Sequence, residues 1–268
     1  MSLIPLGCWV AAQGFALYLT PMSETSGMQM SSSFNAIVIV AALGVATLVV
    51  WFGIKAGLGT LIRAMLMVAV AMLLLHAVFL PLARFTPLLV SLATAAAISG
   101  VITLSLLYRP RWYVMDAVGV LVGGSAIAIL GSSLDVLSAI ALLVVLALYD
   151  FIAVNKTKHM ITIAESALTH RLPMMLITPQ ATASSLSLGT QGHTGVVMLG
   201  LGDVVIPGVL IVASSAQGWL VALSVFGGAL IGLVLLFATA RGRPRAGLPW
   251  INTGAIAGYV ISAGITML

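Results

Sequence analysis

The spacing of the charges most limits what this chain can fold into. Between them lie apolar runs of about 20 residues, the length a helix needs to cross about 30 Å of hydrocarbon. Nine such runs can be marked: Leu3 to Thr20, Phe34 to Ile54, Leu61 to Ala83, Pro87 to Leu107, Trp112 to Leu130, Leu134 to Val154, Thr194 to Ser214, Trp219 to Ala240 and Pro249 to Leu268. Only 6% of the residues are charged and 61% are hydrophobic, too few charges to cover a soluble surface. In lipid every backbone polar group must be bonded within the chain, and a helix does this locally. The expectation is an all-α polytopic membrane protein with nine transmembrane helices, forming a single domain over residues 1–268. No Lys or Arg precedes the first run, so it is read as a span and not as a cleaved signal.

The longest polar interruption is a connection over 155–193 between the sixth and seventh runs. Within it, His159 to Met175 carries scattered apolar positions, which suggests an amphipathic helix on the membrane surface, bounded by Pro173 and Pro179. Ser184 to His193 reads as flexible linker.

The net charge of +5 would suggest nucleic acid in a soluble protein, but here the basic residues mark topology and lipid headgroup contacts. Lys55, Arg63, Arg109, Arg111, Lys156, Lys158, Arg171, Arg241, Arg243 and Arg245 fall on one side if every run spans, and Arg84 alone falls on the other. This bias places the amino terminus in the cytoplasm, the 155–193 connection on the cytoplasmic side and the carboxyl terminus outside.

Six acids remain to be explained. Glu24, Asp135 and Glu165 fall between runs, where solvated charge suffices, and Asp116 lies near enough to a run's end to reach the interface or pair locally with Arg111. Asp150 and Asp203 are different. Asp150 is six residues before Lys156, about 9 Å inside its span, and Asp203 is nine residues after Thr194, about 14 Å inside the next. An ionised acid at such depth is costly and implies a function and a partner. Each acid is the other's natural partner. Two buried carboxylates that share one proton can activate water and polarise a carbonyl, the chemistry of aspartyl proteolysis.

The surroundings of Asp203 add to this reading. Gly200 and Gly202 weaken the helix there, and Pro207 lacks the N–H that would bond the Asp203 carbonyl, so the segment is expected to bend. Other chemistries find little support. Cys8 is the only cysteine, no His-Glu-x-x-His occurs, and the serines and threonines have no His-Asp arrangement. No metal and no cofactor are implied. His76, the one histidine inside a run, reads as a satisfied polar contact. The pairs Gly119 with Gly123, Gly228 with Gly232, and Gly254 with Gly258 read as helix-packing faces.

Tyr149-Asp150 in the sixth run and Gly200-Leu201-Gly202-Asp203 in the seventh resemble the Tyr-Asp and Gly-x-Gly-Asp motifs of the presenilin and signal peptide peptidase intramembrane aspartyl proteases. The resemblance extends over the whole chain. It implies Asp150 and Asp203 as catalytic residues, with Tyr149, Gly200, Leu201 and Gly202 shaping the site. The family's third signature, Pro-Ala-Leu, corresponds by position to Ala246-Gly247-Leu248, followed by Pro249, so the leucine is kept while the other two residues differ. Leu248-Pro249 is expected to form an extended segment at the entrance to the last helix. The cytoplasmic amino terminus and compact loops look like a microbial presenilin homologue, in a prokaryotic cell membrane. The implied partners are transmembrane peptide or protein substrates and the lipid bilayer, with no nucleic acid; a homo-oligomer is left open. The alternative is a proton-coupled membrane transporter using the same carboxylates, against which the absence of a detectable repeat weighs.

Overall fold

The computed structural model describes residues 4–23, 59–108, 112–152, 175–179, 196–240 and 247–266, with a few helical positions between 38 and 52. Among these residues the chain forms eight helices and one two-stranded ribbon. In order they are α1 (Ile4–Ser23), α2 (Gly59–Leu82), α3 (Leu88–Tyr108), α4 (Trp112–Ser133), α5 (Val136–Ile152), β1 (Met175–Pro179), β2 (Val196–Gly200), α6 (Leu201–Ser215), α7 (Trp219–Ala240) and α8 (Leu248–Thr266). Eight of the nine apolar runs carry these helices; the second, Phe34 to Ile54, lies largely outside the described residues. Among the described residues, four segments are long and apolar enough to cross a membrane: Gly59–Leu82, Leu88–Tyr108, Tyr113–Ser133 and Trp219–Thr239.

Helix starts follow local chemistry. Asp135, read above only as a solvated acid, accepts a hydrogen bond from the Ser138 N–H at 3.3 Å and so caps α5. The turn from α6 into α7 passes through Gly218, whose φ of 131° is open to glycine but strained for other residues.

The bundle is built around α6, which packs against α1, α4, α5, α7 and α8. Val204 and the whole stretch from Pro207 to Ser214 are buried, so α6 is apolar on every side, as a central helix must be. Its approach to α1 and α4 depends on Gly208, where a Cβ would come within 2.5 Å of Gln13 Oε1 and 2.7 Å of Ile127 Cδ1. Helices α7 and α8 pack together more extensively than any other pair. Their glycines are the reason: a Cβ on Gly228 would strike the Gly254 carbonyl, and one on Gly258 would strike the Ser224 carbonyl. By contrast, α2 and α3 expose Leu61, Met65, Val68, Leu92, Val101 and Leu104, an apolar surface.

Three expectations need correction. The run Thr194 to Ser214 is not one helix, because Val196–Gly200 is a strand and the helix begins at Leu201. A short apolar run rich in β-branched residues suits either state, and periodicity alone does not separate them. Second, Met175 does not close an amphipathic helix; it opens β1, which pairs antiparallel with β2 in the register Met175↔Gly200 to Pro179↔Val196. The all-α expectation therefore misses a ribbon, whose two strands lie far apart in sequence and are joined only by tertiary pairing. The rest of the proposed surface helix and the Ser184 to His193 linker lie outside the described residues. Third, Leu248 and Pro249 are not extended but form the first turn of α8, where a proline costs no hydrogen bond.

Candidate active site

Asp203 owes its position to the strand-to-helix junction. Gly200 is the N-cap of α6, with extended backbone at φ −64° and ψ 142°, and Asp203 is the third helical residue. From there its carboxylate bonds back to the Gly200 N–H. This is half of a capping box, with an acid in the place where helix N-termini favour one. A Cβ on Gly200 would meet Asp203 Oδ2 at 3.4 Å, an ordinary van der Waals contact, so the carboxylate lies directly over this residue. At 15 residues, α6 is about 22 Å long, shorter than the hydrocarbon core. An acid in its first turn can therefore lie below the membrane surface without sitting in the middle of a helix.

Asp150 approaches from the last turns of α5 and is buried, 3% exposed. It is held by the start of α8: Leu248 donates its N–H to Asp150 Oδ2 at 3.3 Å, and the Gly247 N–H bonds the same carboxylate. Gly247 faces Asp203 as well. A Cβ there would lie 3.0 Å from Cγ and from both carboxylate oxygens of Asp203. One backbone bend thus touches both acids, and the two carboxylates are near enough for charge on one to act on the other. The register of α8 on α5 is set one turn further along α8 by Asn252, whose Nδ2 donates to the Leu143 carbonyl at 2.9 Å.

The remaining sequence candidates take varied places. Leu201 faces Gly123 of α4, where a Cβ would stand 3.5 Å from Leu201 Cδ1, while Gly202 is exposed and its hydrogen faces open space. Tyr149 is 57% exposed, with no hydrogen bond among the described residues. Ala246 lies outside the described residues, and Pro249 follows Leu248 into α8. Asp116 is buried in α4, in its second turn. The Nδ1 of His76 is buried with no partner among the described residues. No group of three or more potential metal ligands occurs among the described residues.

Two residues of α1 escaped the sequence reading. Trp9, wholly buried, donates its indole N–H to the Asp203 carbonyl at 3.3 Å, and Gln13, one turn on, donates to the Val204 carbonyl at 2.9 Å. The missing donor at Pro207 was visible in the sequence. The residue that replaces it, some 194 positions away, was not.

Two carboxylates thus meet at one glycine within a helical bundle, an arrangement that belongs to membrane proteins carrying paired acids. The comparisons with known proteins agree with this class and narrow it. The family described as signal-peptide peptidase, presenilin aspartyl protease matches residues 7–267. A crystal structure of a presenilin family intramembrane aspartate protease is 31% identical, covers 98% of each chain and superposes with a TM-score of 0.75. A second crystal form of such a protease is 28% identical over 99% of this chain and 98% of that one, with a TM-score of 0.72. No curated protein matches. The chain belongs to the signal-peptide peptidase, presenilin aspartyl protease family, and its fold is presenilin-like.

Proposed function

We propose that this protein is an intramembrane aspartyl endopeptidase that hydrolyses peptide bonds of transmembrane helical substrates, with Asp150 and Asp203 as its acid–base pair. The observation that carries this reading is the convergence of both carboxylates on Gly247. One carboxylate takes a proton from water, and the resulting hydroxide attacks the scissile carbonyl carbon. The other, protonated, gives its proton to the carbonyl oxygen. The neutral diol then collapses as its hydroxyl returns a proton to a carboxylate. The leaving nitrogen receives the remaining proton, and the C–N bond breaks. No metal or cofactor enters this sequence. The backbone N–H groups of Gly247 and Leu248 hold Asp150 in place throughout.

The same reading makes residues 1–268 one membrane domain of nine spans, with the amino terminus in the cytoplasm of a prokaryotic cell and the carboxyl terminus outside. The bias of the basic residues supports this orientation, and it puts the acids in the cytoplasmic half of the bilayer. A substrate helix must unwind locally before its backbone can reach them.

The test is cleavage of a model transmembrane peptide by purified protein. Asp150→Ala and Asp203→Ala should each abolish cleavage, and the double variant should be no worse, since members of one catalytic unit are not additive. Substantial cleavage by either folded single variant would sink the dyad. Proton-driven uptake by vesicles, without cleavage, would instead support the transporter reading.

A further inference from the structure

Pro207 leaves the Asp203 carbonyl, which is partly buried, without the main-chain donor of a regular helix. Leaving a buried carbonyl unbonded is costly, and its peptide plane would turn to find a partner. That carbonyl is Asp203's own, so a shift of the first turn of α6 to find it a partner would move the Asp203 Cα and the carboxylate it bears. Trp9 supplies the missing bond from α1, its Nε1 at 3.3 Å from the oxygen. The indole is fixed by burial and by stacking on Phe226 of α7, with ring centroids 5.5 Å apart. Gln13 donates to the next carbonyl, Val204, so α1 grips two consecutive peptides of the first turns of α6.

We infer that Trp9 is a positioning residue, whose indole N–H replaces the donor removed by Pro207 and thereby holds the Asp203 carboxylate toward Asp150. The inference rests on the dyad reading given above. It explains how a proline so close to the proposed catalytic acid coexists with a defined site. The proline opens the helix to a donor from another element, and the position of Asp203 then depends on how α1 is seated.

A merely space-filling tryptophan and a donor to this carbonyl differ in how they respond to position 207. Trp9→Phe keeps a stacked ring but deletes the N–H, whereas Pro207→Ala restores a main-chain N–H to the Asp203 carbonyl. The experiment is the four-membered cycle of natural protein, Trp9→Phe, Pro207→Ala and the double variant, read by kcat, KM and thermal midpoint. With Pro207 in place, Trp9→Phe should lower kcat by about ten-fold, the cost of stranding one buried acceptor, with KM little changed. In the Pro207→Ala background the same change should lower kcat by about two-fold or less, and the fall in thermal midpoint should shrink in parallel. Equal losses in both backgrounds would assign Trp9 to packing alone, and no loss beside Pro207 would deny it a role. Should Trp9→Phe alone fail to fold, the double variant must fold; failure of both overturns the inference. The thermal coupling is read without catalysis, so a failure of the dyad reading, seen in the aspartate variants, is distinguishable from a failure of this one.

Discussion

At the scale of single residues, the site is an arrangement of two acids around one glycine. Asp150 receives the N–H groups of Gly247 and Leu248, while Asp203 lies against the hydrogen that Gly247 has in place of a side chain. Gly247→Ala should therefore displace the Asp203 carboxylate by a few tenths of an ångström without unfolding the protein. The carboxylate is a mobile end that can yield, but its aim toward substrate changes. We predict a fall in kcat of about ten-fold with an unchanged thermal midpoint, and an undiminished kcat would show that this contact does not aim Asp203. If the two acids share a proton, cleavage should follow a bell-shaped pH profile. Activity falls at low pH when both are protonated and at high pH when neither is. A single sigmoid across that range would separate the two titrations and count against one coupled pair. The aspartates and their flanking motifs were legible in the sequence because an acid inside an apolar run is conspicuous. Trp9 and Gln13 were not, since tryptophan and glutamine near a helix start are unremarkable until their partner is known.

At the scale of elements, α6 is short, apolar all round and gripped by five helices, so its stability comes from close packing and not from an amphipathic face. Gly208 sits at its tightest approach. Gly208→Ala would drive a methyl group into Gln13 Oε1 and Ile127, and the resulting overpacking should cost about 1–3 kcal/mol. A lower thermal midpoint in detergent or lipid would register this, and a midpoint equal to that of the natural protein would mean that α1 and α6 are looser than their geometry implies. The ribbon is the element that the sequence least betrayed. Val196–Gly200 reads as the beginning of a membrane helix, and only pairing with Met175–Pro179 satisfies its backbone as a strand.

At the scale of the whole molecule, the bundle has a buried half around α6 and an exposed apolar flank on α2 and α3, and the orientation proposed above rests on the loop charges. Orientation can be read by chemical labelling after Cys8, the sole cysteine, is replaced. A single cysteine placed among Arg241 to Arg245 should react with an impermeant reagent only from the cytoplasmic side of sealed vesicles. Labelling from the outside alone would reverse the topology proposed here.

Hydropathy and charge depend on composition along the chain, so the membrane class, most helix positions and the two deep acids could be read without coordinates. So could the loss of a donor at Pro207, because proline lacks its N–H in any fold. What tertiary structure alone decided was the partner in each case. The bend at Gly247 joins acids from α5 and α6, Met175–Pro179 turns its neighbour into a strand, and Trp9 completes the hydrogen bonding of a helix to which it does not belong. These contacts link residues from about 20 to 194 positions apart, and no local propensity specifies them; they arise only when the helices pack and each buried polar group must find a donor or acceptor within reach.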